Sequence, residues 1–299
     1  MQTLFDSLKF EQNLHKDEVT RLEVYANGHL FKLFDSPVDK TLLKRIAIGT
    51  GVGVSEADLE VCDTFKDRLV RMTTLANERN CLLYVDAEQS YIQDAIASWG
   101  QQLTHQFNRG EKHIILNGYQ CYLKRTTEAI KMEVAASKVL GYNIGIKLIR
   151  GAYMNEERKL AQEHGYESPI WDTLEHTHRC YNDSMLHILD NLTEDSMLLI
   201  ASHNMDSVQL AKNKMLEVGI ADSRVRFAQL KAFSDHITSQ LALENFQVYK
   251  YLPYGPMEEV MPYLIRRGQE SKQVVREQTF QNVFLKNEIK RRMNLFSKA

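Results

Sequence analysis

A chain of 299 residues with 43% hydrophobic and 25% charged residues has the composition of a globular protein able to bury one large core. Its formal net charge of −2 lacks the strong basic excess that marks nucleic-acid binders, so no nucleic-acid partner is expected. Cys62, Cys81, Cys121 and Cys180 are scattered without a C-x-x-C pair, which argues against a metal site and for a reducing compartment.

In chain order, residues 1–14 include Asp6 and Glu11 and lack the charged-then-apolar layout of a signal peptide; any targeting segment is expected to have been removed or never to have existed. Apolar runs all fall short of the roughly 18 residues that suggest a membrane span. Residues 21–25 and 46–48 read as short strands. Gly49-Thr50-Gly51-Val52-Gly53 approaches a dinucleotide fingerprint, but Val54 stands where the third glycine belongs, so the segment reads as a glycine-rich loop. A helix follows from Ser55, with Asp58 three residues on in a capping pattern. From residue 81, strands are expected at 81–85, 113–116, 144–149, Met197–Ala201, 224–228 and 247–252, without the polar alternation of a one-sided sheet. Helices alternate with them, as at Thr126–Leu140, 173–189 and 207–217. Repeated strand–helix units imply a parallel sheet in a single domain over residues 1–299.

A closed barrel is favoured over an open sheet because the fingerprint is absent and almost every strand ends in polar or reactive residues. Residue 85 runs into Asp86-Ala87-Glu88-Gln89, and residue 116 into Asn117-Gly118-Tyr119-Gln120. Lys147 and Arg150 precede Gly151-Ala152-Tyr153, and Ser202-His203-Asn204 follows residue 201. Gln229-Leu230 and Tyr249-Lys250-Tyr251 close the series. Alone, such an aspartate is more often a helix cap and such a histidine more often structural. Six ends converging on one barrel mouth raise the functional reading.

After Pro256, Tyr263, Arg266, Arg267 and Glu270 fall on one face of a final helix at three- and four-residue steps. One reading is a solvated face with a Glu–Arg pair. The apolar neighbours Leu264 and Ile265 favour a packed face, and paired guanidinium groups suit a carboxylate or phosphate.

The ordered segments Asp86-Ala87-Glu88-Gln89, Tyr119-Gln120-Cys121-Tyr122-Leu123, Lys147-Leu148-Ile149-Arg150-Gly151-Ala152-Tyr153, Ala201-Ser202-His203-Asn204, Tyr251-Leu252-Pro253-Tyr254-Gly255 and Tyr263-Leu264-Ile265-Arg266-Arg267 resemble the motifs of the proline dehydrogenase family, closest to its eukaryotic monofunctional type. The resemblance covers residues 80–275 and fits residues 1–55 poorly. It implies a distorted (β/α)8 barrel of TIM type with non-covalent FAD at the strand C-termini and the final helix covering the site. It places Gln120, Lys147, Ile149, Gly151, Ala152, His203 and Asn204 around the flavin. Asp86, Tyr153, Leu230, Tyr251, Tyr263, Arg266 and Arg267 would line the substrate pocket, with Glu270 positioning the arginines. The implied reaction is oxidation of L-proline to Δ1-pyrroline-5-carboxylate, by hydride transfer from C5 to flavin N5, with a membrane quinone as final acceptor. It also implies peripheral association with the inner mitochondrial membrane on the matrix side in a eukaryote, or a cytoplasmic enzyme beside the membrane in a bacterium.

Within that resemblance, Tyr251 fills space that a serine leaves open in hydroxyproline dehydrogenases, so proline is the expected substrate. Family members also have a lysine on an early strand, whereas aligning residues 21–28 with it puts Glu23 at that position; the N-terminal elements are atypical, truncated or engineered. The alternatives are a hydroxyproline dehydrogenase, a catalytically weakened barrel acting as a binding protein and, more distantly, a Schiff-base aldolase using Lys147.

Overall fold

The structure, a computed structural model, describes residues 55–231 and 233–270 and positions 286, 287, 289, 290, 292 and 293; the side chains of residues 56, 58, 59, 62, 269 and 270 are outside the described set. The expected strands at 21–25 and 46–48, the glycine-rich loop and Glu23 therefore lie outside the described residues. The chain divides into two compact units, Met1–Leu198 and Leu199–Ala299.

The first unit begins with α1 (Glu56–Glu78), which starts directly after Ser55 as the capping pattern predicts. Then come β1 (Leu83–Val85), α2 (Ser90–Phe107), β2 (Ile115–Gln120), α3 (Thr126–Leu140), β3 (Gly145–Ile149), α4 (Met154–His164) and α5 (Leu174–Asn191). β1 pairs in parallel with β2, and β2 with β3. The strand β4 (Met197–Ala201) straddles the division; its first residue donates a backbone hydrogen bond to Ile144 at 2.9 Å. In the second unit follow α6 (Met205–Val218), a 3-10 turn at Asp222–Arg224, β5 (Val225–Leu230), α7 (Asp235–Leu243), β6 (Gln247–Tyr251) and α8 (Met257–Glu270). β5 pairs in parallel with β6. Each strand lies beside its neighbour in sequence, in the order β1-β2-β3-β4-β5-β6. A doubly wound sheet reverses its order at a switch point; this order belongs to the barrel class.

The first unit's core explains why these segments fold as they do. All six residues of β2 are buried, and Ile115, Leu116, Ile146 and Leu148 are shut off from solvent. Ile130 and Val134 from α3 and Tyr181, Met185 and Ile188 from α5 are buried with them. Each such aliphatic side chain contributes about 1.5–3 kcal/mol on burial. α1 joins through Phe65, whose ring lies 4.8 Å from that of Trp99 on α2. α3 ends at Gly141, which takes the left-handed conformation (φ 67°) that closes a helix without a Cβ penalty.

One buried amide ties α2 to the sheet. Asn108, 0% exposed, donates through Nδ2 to the Ile115 carbonyl at 2.8 Å and accepts the Ile115 N–H at 2.8 Å. It also reaches the Asn143 carbonyl at 3.2 Å. The second unit buries Val225 and Phe227 of β5 with Val208, Ala211 and Met215 of α6 and Ile237 and Leu241 of α7.

One expectation needs correction. The polar run Asn117-Gly118-Tyr119-Gln120, expected to follow a strand ending at residue 116, is the buried continuation of β2. Its amide donors find partners within the fold: Asn117 Nδ2 donates to Thr104 Oγ1 at 3.0 Å and Gln120 Nε2 to the Glu88 carbonyl at 2.6 Å. Once so paired, they no longer oppose strand burial.

Candidate active site

Parallel register lines up the strand ends. In the first unit Gln120 is the Cα partner of Ile149, and Gly118 of Lys147. Gln120, Lys147 and Ile149, all expected to hold a cofactor, are thereby assembled on two adjacent strands. Lys147 is the better buried partner of an ion pair with Asp86, their side chains being 16% and 55% exposed. The residue types expected at a substrate pocket and at a cofactor thus meet here in one contact.

The loops around this pair are laced together. Gln120 Nε2 donates to the Glu88 carbonyl at 2.6 Å, and the Tyr153 hydroxyl donates to the Glu88 carboxylate. Glu88 N–H in turn donates to Gln93 Oε1 at 2.7 Å. Gly151 takes φ +140°, and a Cβ there would stand 2.4 Å from the Tyr122 ring. Only glycine meets both conditions at once. Ala152 follows at the turn into α4, half-buried.

Arg150 turns away from this cluster. Its Nε donates to His178 Nδ1 at 3.0 Å and its guanidinium lies 4.0 Å over the Tyr181 ring. Burial pulls its pKa below the ordinary arginine value, with Tyr181 and Cys121 opposing. Cys121, directly after β2, is fully buried and its thiol is pushed well up by that burial and by Cys180. The scattered cysteines of the sequence thus include one neighbouring pair. Among the described residues no group of His, Cys, Asp and Glu could hold a metal ion.

The second unit has its own ordered strand ends. Leu230 is the Cα partner of Tyr251. The Tyr251 and Tyr263 rings lie 6.0 Å apart, tilted by 47°, while Arg267 and Arg266 sit 5.4 and 5.9 Å from the Tyr263 ring centre. Four of the expected substrate residues, Tyr251, Tyr263, Arg266 and Arg267, therefore form one aromatic–guanidinium cluster. The Glu270 side chain lies outside the described residues. The expectation of a packed face is not met at Leu264 and Ile265, which are 44% and 55% exposed.

After β4, Asn204 caps α6, its Oδ1 accepting the Ser207 N–H at 2.9 Å. His203 Nδ1 lies 3.2 Å from Ser234 Oγ, and its ring 5.7 Å from Phe233. Lys250 Nζ donates to the Phe233 carbonyl at 2.7 Å and pairs with Asp235 at 2.7 Å, fixing the loop that follows Leu230. Sequence reading passed over Ser90, Gln93 and Glu157 because none of them stands at a strand end. Glu88 and Lys250 stand within the strand-end motifs, but no local signal assigns them a role.

Residues 3–278 match the family described as "Proline dehydrogenase". The chain is 40% identical over 238 residues to human "Proline dehydrogenase 1, mitochondrial", covering 76% of this chain and 40% of that protein. It is 38% identical over 231 residues to Xenopus laevis "Hydroxyproline dehydrogenase", covering 76% of this chain and 49% of the relative. It thus spans less than half the length of these curated relatives. Among solved structures, proline utilization A (PutA) from Bdellovibrio bacteriovorus, inactivated by N-propargylglycine, aligns with a TM-score of 0.65 at 20% identity. That alignment covers 71% of this chain and 22% of the other.

Proposed function

The chain belongs to the proline dehydrogenase family, and from that premise we propose that it oxidises L-proline to Δ1-pyrroline-5-carboxylate with non-covalently bound FAD. The observation that carries the reading is the assembly of Lys147, Asp86, Gln120 and Tyr153 at neighbouring strand ends in the first unit. The residues fit a flavin. Gln120 Oε1 is buried and accepts no hydrogen bond within the described residues, leaving an acceptor for a ring N–H. In the first unit Gln120, Lys147, Ile149, Gly151 and Ala152 would hold it. Bound FAD would supply the hydride acceptor, N5, for the hydride that leaves proline C5, while the ring nitrogen releases its proton to solvent to give the C=N bond.

The protein's part is orientation and electrostatics. Arg266 and Arg267 grip the substrate carboxylate; five fixed N–H donors on each guanidinium favour a planar, bidentate hold over a single contact. Tyr263, with both guanidinium groups near its ring, keeps the pair oriented. Leu230 and Tyr251 confine the pyrrolidine ring, which limits the poses from which C5 can react. Lys147, anchored by Asp86, offers positive charge to the negative charge that develops on reduction. A membrane quinone would reoxidise the cofactor. The family's quinone partner favours the matrix face of the inner mitochondrial membrane in a eukaryote, or the cytoplasmic membrane surface in a bacterium. The association proposed is peripheral, as the family resemblance implies; among the described residues no helix is long and apolar enough to cross a membrane.

The test is anaerobic titration of the FAD-reconstituted chain with proline. Bleaching of the flavin absorbance is expected. Arg266→Met and Arg267→Met should each bind FAD yet raise KM for proline by about one to two decades, the worth of a charge-assisted contact of roughly 1.5–3 kcal/mol. A chain that cannot be reconstituted, or one that binds FAD and stays yellow with proline, overturns the reading.

A further inference from the structure

Glu157, in the first turn of α4, is 1% exposed, and the proposed chemistry gives it no role. A carboxylate so deep is tolerated only where it is well bonded. Its Oε1 accepts the Ser90 backbone N–H at 2.5 Å, and its Oε2 the Ser90 hydroxyl at 2.5 Å. Ser90 opens α2, and the capping position before it, Gln89, makes no side-chain cap bond. Glu157 therefore supplies from another helix the acceptor and negative charge that the α2 N-terminus lacks.

That contact sits at the hinge of the site. The four residues before Ser90 include Asp86, paired with Lys147, and Glu88, bonded to Gln120 and Tyr153. Glu157 also donates its own N–H to the Tyr153 carbonyl at 2.9 Å. One residue is thus tied by its side chain to the loop after β1 and by its backbone to the loop after β3. We infer that Glu157 is a positioning residue: by fixing Ser90 it holds residues 86–90 so that Asp86 stays against Lys147 and Glu88 against Tyr153. The inference rests on the proposed function, since the pocket being held is the proline pocket.

The test compares wild type, Glu157→Ala and Glu157→Gln in the full chain reconstituted with FAD. Glutamine keeps a carbonyl acceptor for the Ser90 N–H; alanine does not. Glu157→Ala is expected to raise KM for proline roughly tenfold with kcat changed much less, and Glu157→Gln to recover most of the loss. Without ligands, amide exchange across residues 86–90 should accelerate in the alanine variant and not in the glutamine one. Unchanged KM in Glu157→Ala overturns the inference, whatever the exchange shows. If that variant fails to fold, Ser90→Ala removes the hydroxyl alone and should raise KM by about threefold; an unchanged KM then overturns it. A wild type that binds FAD but is not bleached by proline refutes the proposed function instead, and the exchange comparison still decides whether Glu157 holds the loop.

Discussion

Tyr251 is the side chain through which the proposed choice between proline and a hydroxylated proline is easiest to probe. Its ring stands beside Tyr263, which carries both guanidinium groups near its face, so its volume borders the proposed carboxylate clamp. Tyr251→Ser removes that volume and leaves a small hydroxyl. The expected outcome is a shift in the ratio of kcat/KM values towards hydroxyproline by roughly tenfold, the range open to a pocket that gains one small group. Steady-state kinetics with both substrates checks it, and an unchanged ratio would show that the ring does not border the substrate. That relatives named for both substrates match at 40% and 38% identity is why a single pocket residue, not overall likeness, has to carry this distinction.

Among elements, the α2–β2 junction depends on Asn108. Replacing it by alanine leaves the Ile115 N–H and C=O without their side-chain partner in a buried site, and such orphaned groups are costly. Asn108→Ala is expected to destabilise the fold by about 2–4 kcal/mol, read as a fall in denaturation midpoint at constant m-value. The same elements show how far sequence reaches. Apolar strands such as Met197–Ala201 and the periodic helix Thr126–Leu140 are legible to the residue, because burial on both faces and helical spacing leave a local imprint. β2 is legible only in its first two residues, since the partners of Asn117 and Gln120 lie on α2 and in the loop after β1. The individual site residues could be named through family motifs. Their contacts could not: nothing within residues 86–90 indicates that Glu157, 67 positions from Ser90, closes the loop. Long-range polar pairing has no local period to read.

At the scale of the whole molecule, acid sensitivity follows from paired carboxylates. Glu244 is held below its usual range by hydrogen bonds from Lys212 and Gln240. A carboxyl with a depressed folded pKa stabilises the protein above its unfolded value, near 4.5, and that contribution is lost as pH falls through the folded value. Stability measured from pH 6 downwards should therefore decline below about pH 4.5, and Lys212→Met should flatten part of the decline while lowering stability at neutral pH. An identical pH slope in the variant would remove Glu244 from the account. The strand register has a further consequence, for how such a protein can change over generations. Leu230 and Tyr251 face each other because five successive residue pairs, from Arg226 with Gln247 onwards, are in step. A one-residue insertion in either strand would turn every following side chain to the opposite face. A lineage is therefore free to retune this pair by point substitution, while length changes are confined to the loop and α7 between the strands.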